Sequence, residues 1–315
     1  MLRSVRNQRV KVCGGWYDSV LQHRPVIGAA LRRRSPSVWG GGKGASMRFV
    51  MHPDMAYQYP IWWVGLAIAA LGVILAVLVE LSVRAAIPIE FRRQHNDVAA
   101  AMFSIIGVTY AVLLAFVAML AWEGFNRAKA ASYAEAALVL SVSNVAAGSA
   151  EPERAAMERD IANYARDVIT VEWPAQAEGR RSDRAGADLN ALDRIAVGLK
   201  PSTSAESNVQ AQLLASLARL QDARQERMLA AATTIPAIVW VVLLLGGGLT
   251  IAFASFLGVP SLAMHLAMSS ALAVSGALVL ILIVALANPF RGNFRVSTAP
   301  FEHALAQIEE LKTPP

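Results

Sequence analysis

Four long uncharged stretches, two on each side of a polar middle, set the pattern of this chain. Residues 55–79 and 98–122 carry no charge, and across residues 228–290 the only ionisable side chain is His265. A hydrocarbon core about 30 Å thick is crossed by roughly 20 apolar helical residues. The first two stretches are therefore one span each. The third holds two, divided by Gly258-Val259-Pro260-Ser261. The predicted spans are 61–83, 98–121, 235–257 and 262–287. Tyr57, Tyr59, Trp62 and Trp63 mark the entry to the first, where amphipathic rings favour the headgroup level.

Between spans 2 and 3 the pattern stays helical. No Gly or Pro stops the second span at the membrane surface, so residues 98–147 read as one long helix leaving the bilayer. Asn96 or Asp97 is expected to cap it. Glu151-Pro152-Glu153 starts the next helix, whose stripe is Met157, Ile161, Tyr164, Val168 and Val171, with Pro174 as its expected end. Leu189, Leu192, Ile195 and Leu199 mark a shorter helix closed by Lys200-Pro201. Thr203 and Glu206 form a capping-box pattern ahead of a stripe at Val209, Leu213, Leu217 and Leu220, in a helix expected to feed span 3 with little interruption. After span 4, Phe301, Leu305 and Ile308 give a short amphipathic segment. No strand pattern of useful length occurs. The expected fold is all-α: a four-span (2+2) helical membrane protein with a cytoplasmic helical domain inserted between spans 2 and 3.

The domain boundaries that follow are a basic tail over 1–56, spans 1 and 2 within 57–123, the helical domain over 124–233, spans 3 and 4 within 234–290, and a C-terminal segment over 291–315. A mean hydropathy of +0.42 agrees. The net charge of +6 is lopsided, because residues 1–46 hold nine Lys/Arg against Asp18 alone. The tail has no apolar signal region. It reads as disordered or as an over-long start, the working protein beginning at Met47, Met51 or Met55. Residues 124–233 carry thirteen basic and fourteen acidic side chains, which argues against a nucleic-acid partner. Cys13 is the only cysteine, so neither an intrachain disulfide nor a Cys-based metal site is available.

Four spans place the N-terminus, the polar middle and the C-terminus on one side. Arg48, Arg127, Lys129, Arg219, Arg224, Arg227, Arg291 and Arg295 flank the spans there, against Arg84, Arg92 and Arg93 on the other. Eight against three points to a cytoplasmic middle and cytoplasmic termini in a bacterial inner membrane.

No enzyme signature is present, and no cofactor or metal is expected. Gly40-Gly41-Gly42-Lys43-Gly44 lacks the Ser/Thr and the preceding strand of a phosphate loop. Glu80 and Glu123 read as hydrated interfacial carboxylates paired with Arg84 and Arg127, and clustered acids or histidines within the spans are not evident. His265, with Ser269 one turn on, is the candidate intramembrane polar site. It serves either function or a hydrogen bond to a neighbouring helix near the outer interface. In span 2, Ser104, Gly107, Ala111, Ala115 and Ala118 form a narrow small-residue face, suited to helix packing or to lining a pore. Phe103, Ile106, Tyr110, Leu114 and Val117 form a separate bulky face, which would make an apolar constriction if it met itself around an oligomer axis.

Several strings share an order and spacing with a known family. His95-Asn96-Asp97 opens span 2; Gly107 and Tyr110-Ala111-Val112-Leu113-Leu114-Ala115-Phe116 run through it. Trp122-Glu123, Ala128 and Glu135-Ala136 follow, then Tyr164, Glu172-Trp173-Pro174, Pro289-Phe290-Arg291-Gly292 and Val296-Ser297. Over roughly residues 57–310 the chain resembles the bestrophin-like family of bacterial membrane proteins of unknown function. The resemblance implies a distant likeness to bestrophins, which are pentameric anion channels. It implies a homo-oligomer in the lipid bilayer, with an inorganic anion as its cargo. Ser104, Gly107, Tyr110, Ala111, Leu114 and Phe116 would then be the candidate pore or packing face, and Arg92, Arg93, His95, Asn96 and Asp97 the candidate outer mouth. The aromatic neck of true bestrophins does not map onto span 2, whose Phe103, Tyr110 and Phe116 do not share one face. The competing reading is a non-conducting scaffold or signalling protein that acts through its cytoplasmic helices.

Overall fold

The computed structural model describes residues 60–232 and 235–312; the basic tail, Cys13, the glycine-rich string, the three candidate start methionines, Tyr57 and Tyr59 lie outside them. Among the described residues there are helices and no strands. Four helices are long and apolar enough to cross a membrane. They lie in α1 (Ile61–Ala86), α3 (Asn96–Ala146), α8 (Ala237–Ser255) and α9 (Leu262–Ala287). A short α2 (Ile89–Gln94) joins the first two. α3 is a single helix of 51 residues. At 1.5 Å per residue it is about 77 Å long, more than twice the hydrocarbon thickness. Its far half forms a bundle with α4 (Glu153–Asp167), α6 (Arg184–Gly198), α7 (Ser204–Ala232) and α10 (Ala299–Lys312).

Within the spans, α8 and α9 pack on each other, and both pack against α1 and against α3. α1 meets α9 through small residues. A Cβ at Gly65 would sit 2.9 Å from Ile281 Cδ1, and Gly72 faces Ala273. Lipid tails are as apolar as leucine, so close backbone approach supplies the packing that a hydrophobic effect cannot. α3 meets α8 and α9 through Leu114, Val117 and Ala121 against Leu243, Ile283 and Leu286. Tyr110, Leu114 and Val117 of the bulky face are thus packed inside the protomer against α8 and α9, while Phe103 and Ile106 are half-buried.

Local details depart from expectation in two places. Neither Asn96 nor Asp97 caps α3, whose N-cap is His95; the Asn96 carboxamide instead accepts from the Gly258 N–H at 2.9 Å. Pro174 does not end a helix. A π turn over Val168–Glu172 follows α4, and Pro174 falls in the first turn of α5 (Trp173–Ala177), where its missing N–H is no loss. Gly179, with φ at +71°, stops the chain just beyond. At the start of α7, Thr203 Oγ1 accepts from the Glu206 N–H as expected, and the Glu206 carboxylate reaches back to accept from the Ser202 N–H and hydroxyl.

Tyr110 lies flat against Gly246 and Gly247 of α8, where an added Cβ would approach its ring or hydroxyl to 2.8 Å. Gly247→Ala should therefore cost about 1–3 kcal/mol through overpacking. In a Tyr110→Phe background, which removes the clashing hydroxyl, the same substitution should be nearly neutral. Thermal unfolding of the four proteins in one detergent checks the cycle.

Candidate functional site

Three arrangements have chemistry to offer, and the first is the uncovered side of α3. Ser104, Ala111 and Phe116 are exposed, Phe116 at 67%, whereas Tyr110 and Leu114 turn inward. Gly107 is half-buried, and an added Cβ there would meet nothing within 4 Å. The Ser104 hydroxyl donates to the Ala100 carbonyl at 2.9 Å, a bond within its own helix. Ser104, Ala111 and Ala115 of the small-residue face are therefore open, while Ala118 packs beside the Leu114 cluster. The open part flanks an outward line that carries Val108, Val112 and Met119 in the span and continues through Asn126, Ala130, Tyr133 and Ala137 alongside the bundle.

The second arrangement lies at the membrane end opposite the bundle. Glu80, read in the sequence as hydrated, is fully buried, and His265 is 2% exposed. Glu80 Oε1 accepts from Arg84 Nε at 2.7 Å, lies 3.6 Å from Arg92 Nη1, and lies 3.0 Å from His265 Nδ1. The imidazole contact is within ion-pair distance without a formed hydrogen bond, and Nδ1 has no hydrogen-bond partner. The other ring nitrogen, Nε2, faces the Ala254 carbonyl at 3.0 Å. Arg84 and Arg92 also donate to the carbonyls of Val259 and Ser255. Ser269 is buried with its hydroxyl unpartnered. The spans thus do bring an acid and a histidine together, against the sequence reading. Glu80 and His265 are far apart in the chain, and helix pitch alone does not reveal that their faces meet.

Of the expected outer-mouth residues, Arg92 is withdrawn into this cluster, while Arg93, His95, Asn96 and Asp97 are exposed. His95 Nδ1 bonds within its own turn to the Phe91 carbonyl. The Arg93 backbone lies so close to Gly258 that a Cβ there would sit 2.9 Å from it, which is why the loop between α8 and α9 needs glycine at that point.

The third arrangement was not anticipated as a site, although many family-like strings converge on it. Arg227, fully buried, donates to Glu135 from Nε (2.6 Å) and Nη2 (3.1 Å), and to Glu172 from Nη2 (2.8 Å). Arg224 forks onto both oxygens of Glu172 at 3.0 and 2.6 Å. The Tyr164 hydroxyl donates to Glu135 at 2.5 Å. The guanidinium of Arg227 lies over Trp173 and Phe301, 5.4 and 5.9 Å from their ring centres. Trp173 in turn donates to the Val296 carbonyl at 3.2 Å and meets Phe290 edge-on. Burial would lower the Arg227 pKa, but the Glu135 carboxylate outweighs it and holds the guanidinium protonated. Burial, then Glu135, pushes the Tyr164 phenol well up, so it stays a donor. Burial likewise pushes the Glu172 carboxyl up, against the pull of Arg227 and Arg224. The signal for this network was in the stripe of α7: Leu213, Leu217 and Leu220 continue at the same spacing into Arg224 and Arg227, so both arginines occupy core positions.

Among the described residues no group of His, Cys, Asp or Glu is arranged to hold a metal ion. A smaller acidic pair sits beside the network, where Asp188 of α6 faces Asp167, itself bonded by Arg184 at 2.7 Å. Burial, then the charge of Asp167, raises the Asp188 carboxyl from 3.8 to about 6.

Residues 68–301 match the Bestrophin-like domain. No curated protein sequence matches the chain. Among solved structures, two variants of a bacterial bestrophin homologue from Klebsiella pneumoniae superpose with TM-scores of 0.60 and 0.59 at 13% and 14% identity, each over 78% of this chain and 99% of that one. A crystal structure described as a membrane protein superposes with a TM-score of 0.59 at 12% identity over the same shares. These likenesses concern the fold.

Two predictions follow from the charges. Arg227→Met strands the buried Glu135 carboxylate, Glu172 keeping the Arg224 fork, and should destabilise the bundle by about 3–5 kcal/mol, while Arg227→Met with Glu135→Gln recovers much of the loss. Chemical denaturation followed by the loss of helical circular dichroism reads this. For Asp188, the folded carboxyl binds its proton more tightly than the unfolded one. Its contribution is complete below about pH 4 and is lost as pH rises through about 6. Asp188→Asn should thus raise stability at pH 7.5 by about 1 kcal/mol, the side chain still touching water, and give no gain at pH 4. Thermal midpoints at the two pH values decide.

Proposed function

We propose that this chain, which belongs to the Bestrophin-like family, assembles into a homo-oligomeric ring in a bacterial inner membrane and conducts small inorganic anions along an axis lined by α3. The observation that carries this reading is the uncovered face of α3. Exposed apolar residues within a span can simply meet lipid, so Val108 and Val112 alone decide nothing. The same line continues past the membrane, where Ala130, Tyr133 and Ala137 are exposed with no lipid to cover them. A second copy of α3 beside each flank covers that line, and a ring of copies leaves its inner edge facing an axis. The small Ser104, Ala111 and Ala115 keep the helices close without filling the lumen.

The bundle, taken as residues 124–233, is placed in the cytoplasm together with both termini, on the strength of the excess of basic residues flanking the spans on that side. The opposite mouth contributes little anion attraction. With Arg92 buried against Glu80, its exposed charges are Glu90, Arg93 and Asp97. Anion preference is therefore the part of the reading that rests on the family likeness alone.

The test is electrical. Purified protein, first weighed as an oligomer, is placed in planar bilayers with asymmetric chloride. The expected result is a closed ring with unitary currents that reverse at the chloride potential, and a severalfold smaller unitary current in Val112→Trp, whose side chain points outward. Tyr110→Ala is a poor pore probe because Tyr110 packs on the α8 glycines. A monomer or dimer, or silence from a well-folded ring across voltage and calcium, would sink the channel and leave a membrane scaffold acting through the bundle. A reversal at the cation potential would keep the pore and overturn the anion.

A further inference from the structure

We infer that Glu80 and His265 form a proton-binding site, buried at the membrane end opposite the bundle and holding one proton between Glu80 Oε1 and His265 Nδ1. The inference does not depend on whether the protein conducts. It begins with the ring nitrogen that faces α8. Nε2 of His265 lies 3.0 Å from the Ala254 carbonyl oxygen, and a carbonyl can only accept. Nε2 therefore carries the hydrogen. In a neutral imidazole Nδ1 is then a bare lone pair, and it stands 3.0 Å from a carboxylate oxygen, itself an acceptor. Two acceptors at that separation repel one another, and although Arg84 and Arg92 compensate the carboxylate, the buried Nδ1 lone pair is left without a partner, which is costly. One proton resolves the conflict, carried by either the imidazole or the carboxyl. The proton belongs to the pair rather than to either residue alone.

The surroundings are fully specified. α1 contributes Glu80 and Arg84, α2 contributes Arg92, α8 contributes the carbonyls of Ala254 and Ser255, and α9 contributes His265 and Ser269. Among the described residues, the ion pairs of Glu80 come from Arg84, Arg92 and His265. Glu80 Oε2 and the Ser269 hydroxyl have no hydrogen-bond partner, so the polar lining around the proton is not saturated. Position gives the site its consequence. His265 touches α8 through one nitrogen and α1 through the other, so the bound proton joins three of the four spans. Without it, α9 presents a lone pair to a carboxylate, and the Arg84 bond to the Val259 carbonyl remains to tie the α8–α9 hairpin to α1 at that end.

The full chain, with ¹⁵N-labelled histidine, is reconstituted in lipid nanodiscs and read by solid-state NMR at pH 7.5. The chain has five histidines, and the resonances of His265 are those absent from a His265→Gln sample. Two results support the site: both ring nitrogens protonated, or Nε2 protonated with Nδ1 accepting a strong hydrogen bond. In Glu80→Gln, a near-isosteric change, that signature should be lost and Nδ1 should read as an ordinary neutral imidazole nitrogen. The wild-type spectrum suffices to overturn the inference, because a free Nδ1 lone pair, or a hydrogen on Nδ1 with Nε2 bare, is incompatible with it. An unchanged His265 signature in a folded Glu80→Gln protein would also overturn it, since the carboxylate would then play no part.

Discussion

Arg227 is the residue on which the bundle depends. A guanidinium with no exposed surface cannot shed its proton, so its charge has to be met where it lies. Glu135 meets it from α3, Glu172 from the π turn, and the rings of Trp173 and Phe301 cover its face. Each partner belongs to a different element. Placing one side chain thus fixes the long helix, the π turn, α7 and the C-terminal helix relative to one another. A buried ion pair is not a strong source of stability by itself, and a well-packed apolar substitute often does as well. What it supplies here is register. α7 lies along α3 through a repeating apolar seam, and a slip of one heptad would preserve the apolar contacts. The same slip would move Arg224 and Arg227 away from their carboxylates, at a cost on the order of several kcal/mol per stranded charge.

That register reaches the membrane because the helices do not stop at its surface. α3 is continuous from Asn96 to Ala146. Glu135 in the bundle and Leu114 in the span therefore sit on one rigid rod, on a shared inward seam. The seam reads Tyr110, Leu114, Val117 and Ala121 in the span, then Ala128, Glu135, Val139 and Val142 beyond it. The outward face of the rod is fixed by the same geometry. Turning Leu114 towards α8 and α9 necessarily turns Val108, Val112 and Ala130 away. The structure of the inner seam thus decides which residues are free to meet another copy.

The spans and the helical middle were legible in the sequence because each rests on a local signal. Charge-free windows of bilayer length gave the spans, and apolar spacing of three and four gave Met157, Ile161 and Tyr164 as core. The two faces of span 2 were also separable by pitch, but not their surroundings: Tyr110, Leu114 and Val117 pack inside the protomer, and Ser104, Ala111 and Ala115 are open. Pro174 shows where local reasoning fails. A proline after a helical stripe reads as a stop, and only the π turn before it lets the chain continue. The ionic clusters were hidden for a different reason. Glu80 looks interfacial by depth, yet α9 covers it, and a contact between residues 80 and 265 leaves no trace in local periodicity. Arg224 and Arg227 were more accessible, since their spacing continues a leucine stripe. Counting them as flanking positive charges for topology obscured their place in the core.

The two buried clusters differ in a way that bears on how each end of the molecule behaves. In the bundle, two carboxylates face two guanidiniums, and a tyrosine hydroxyl serves Glu135. Charges and hydrogen bonds nearly close, and nothing in that set needs to exchange with solvent. At the far membrane end, one carboxylate faces two guanidiniums and an imidazole, and polar atoms on Glu80, Arg92, His265 and Ser269 have no hydrogen-bond partner. A closed network resists opening because every member loses a partner at once. An incomplete one has partners still to gain, and a change of a single proton alters its balance. The same helices run between the two ends. The fold thus holds α3 and α7 firmly at the bundle and leaves its most adjustable polar contacts where α1, α8 and α9 meet the opposite membrane surface.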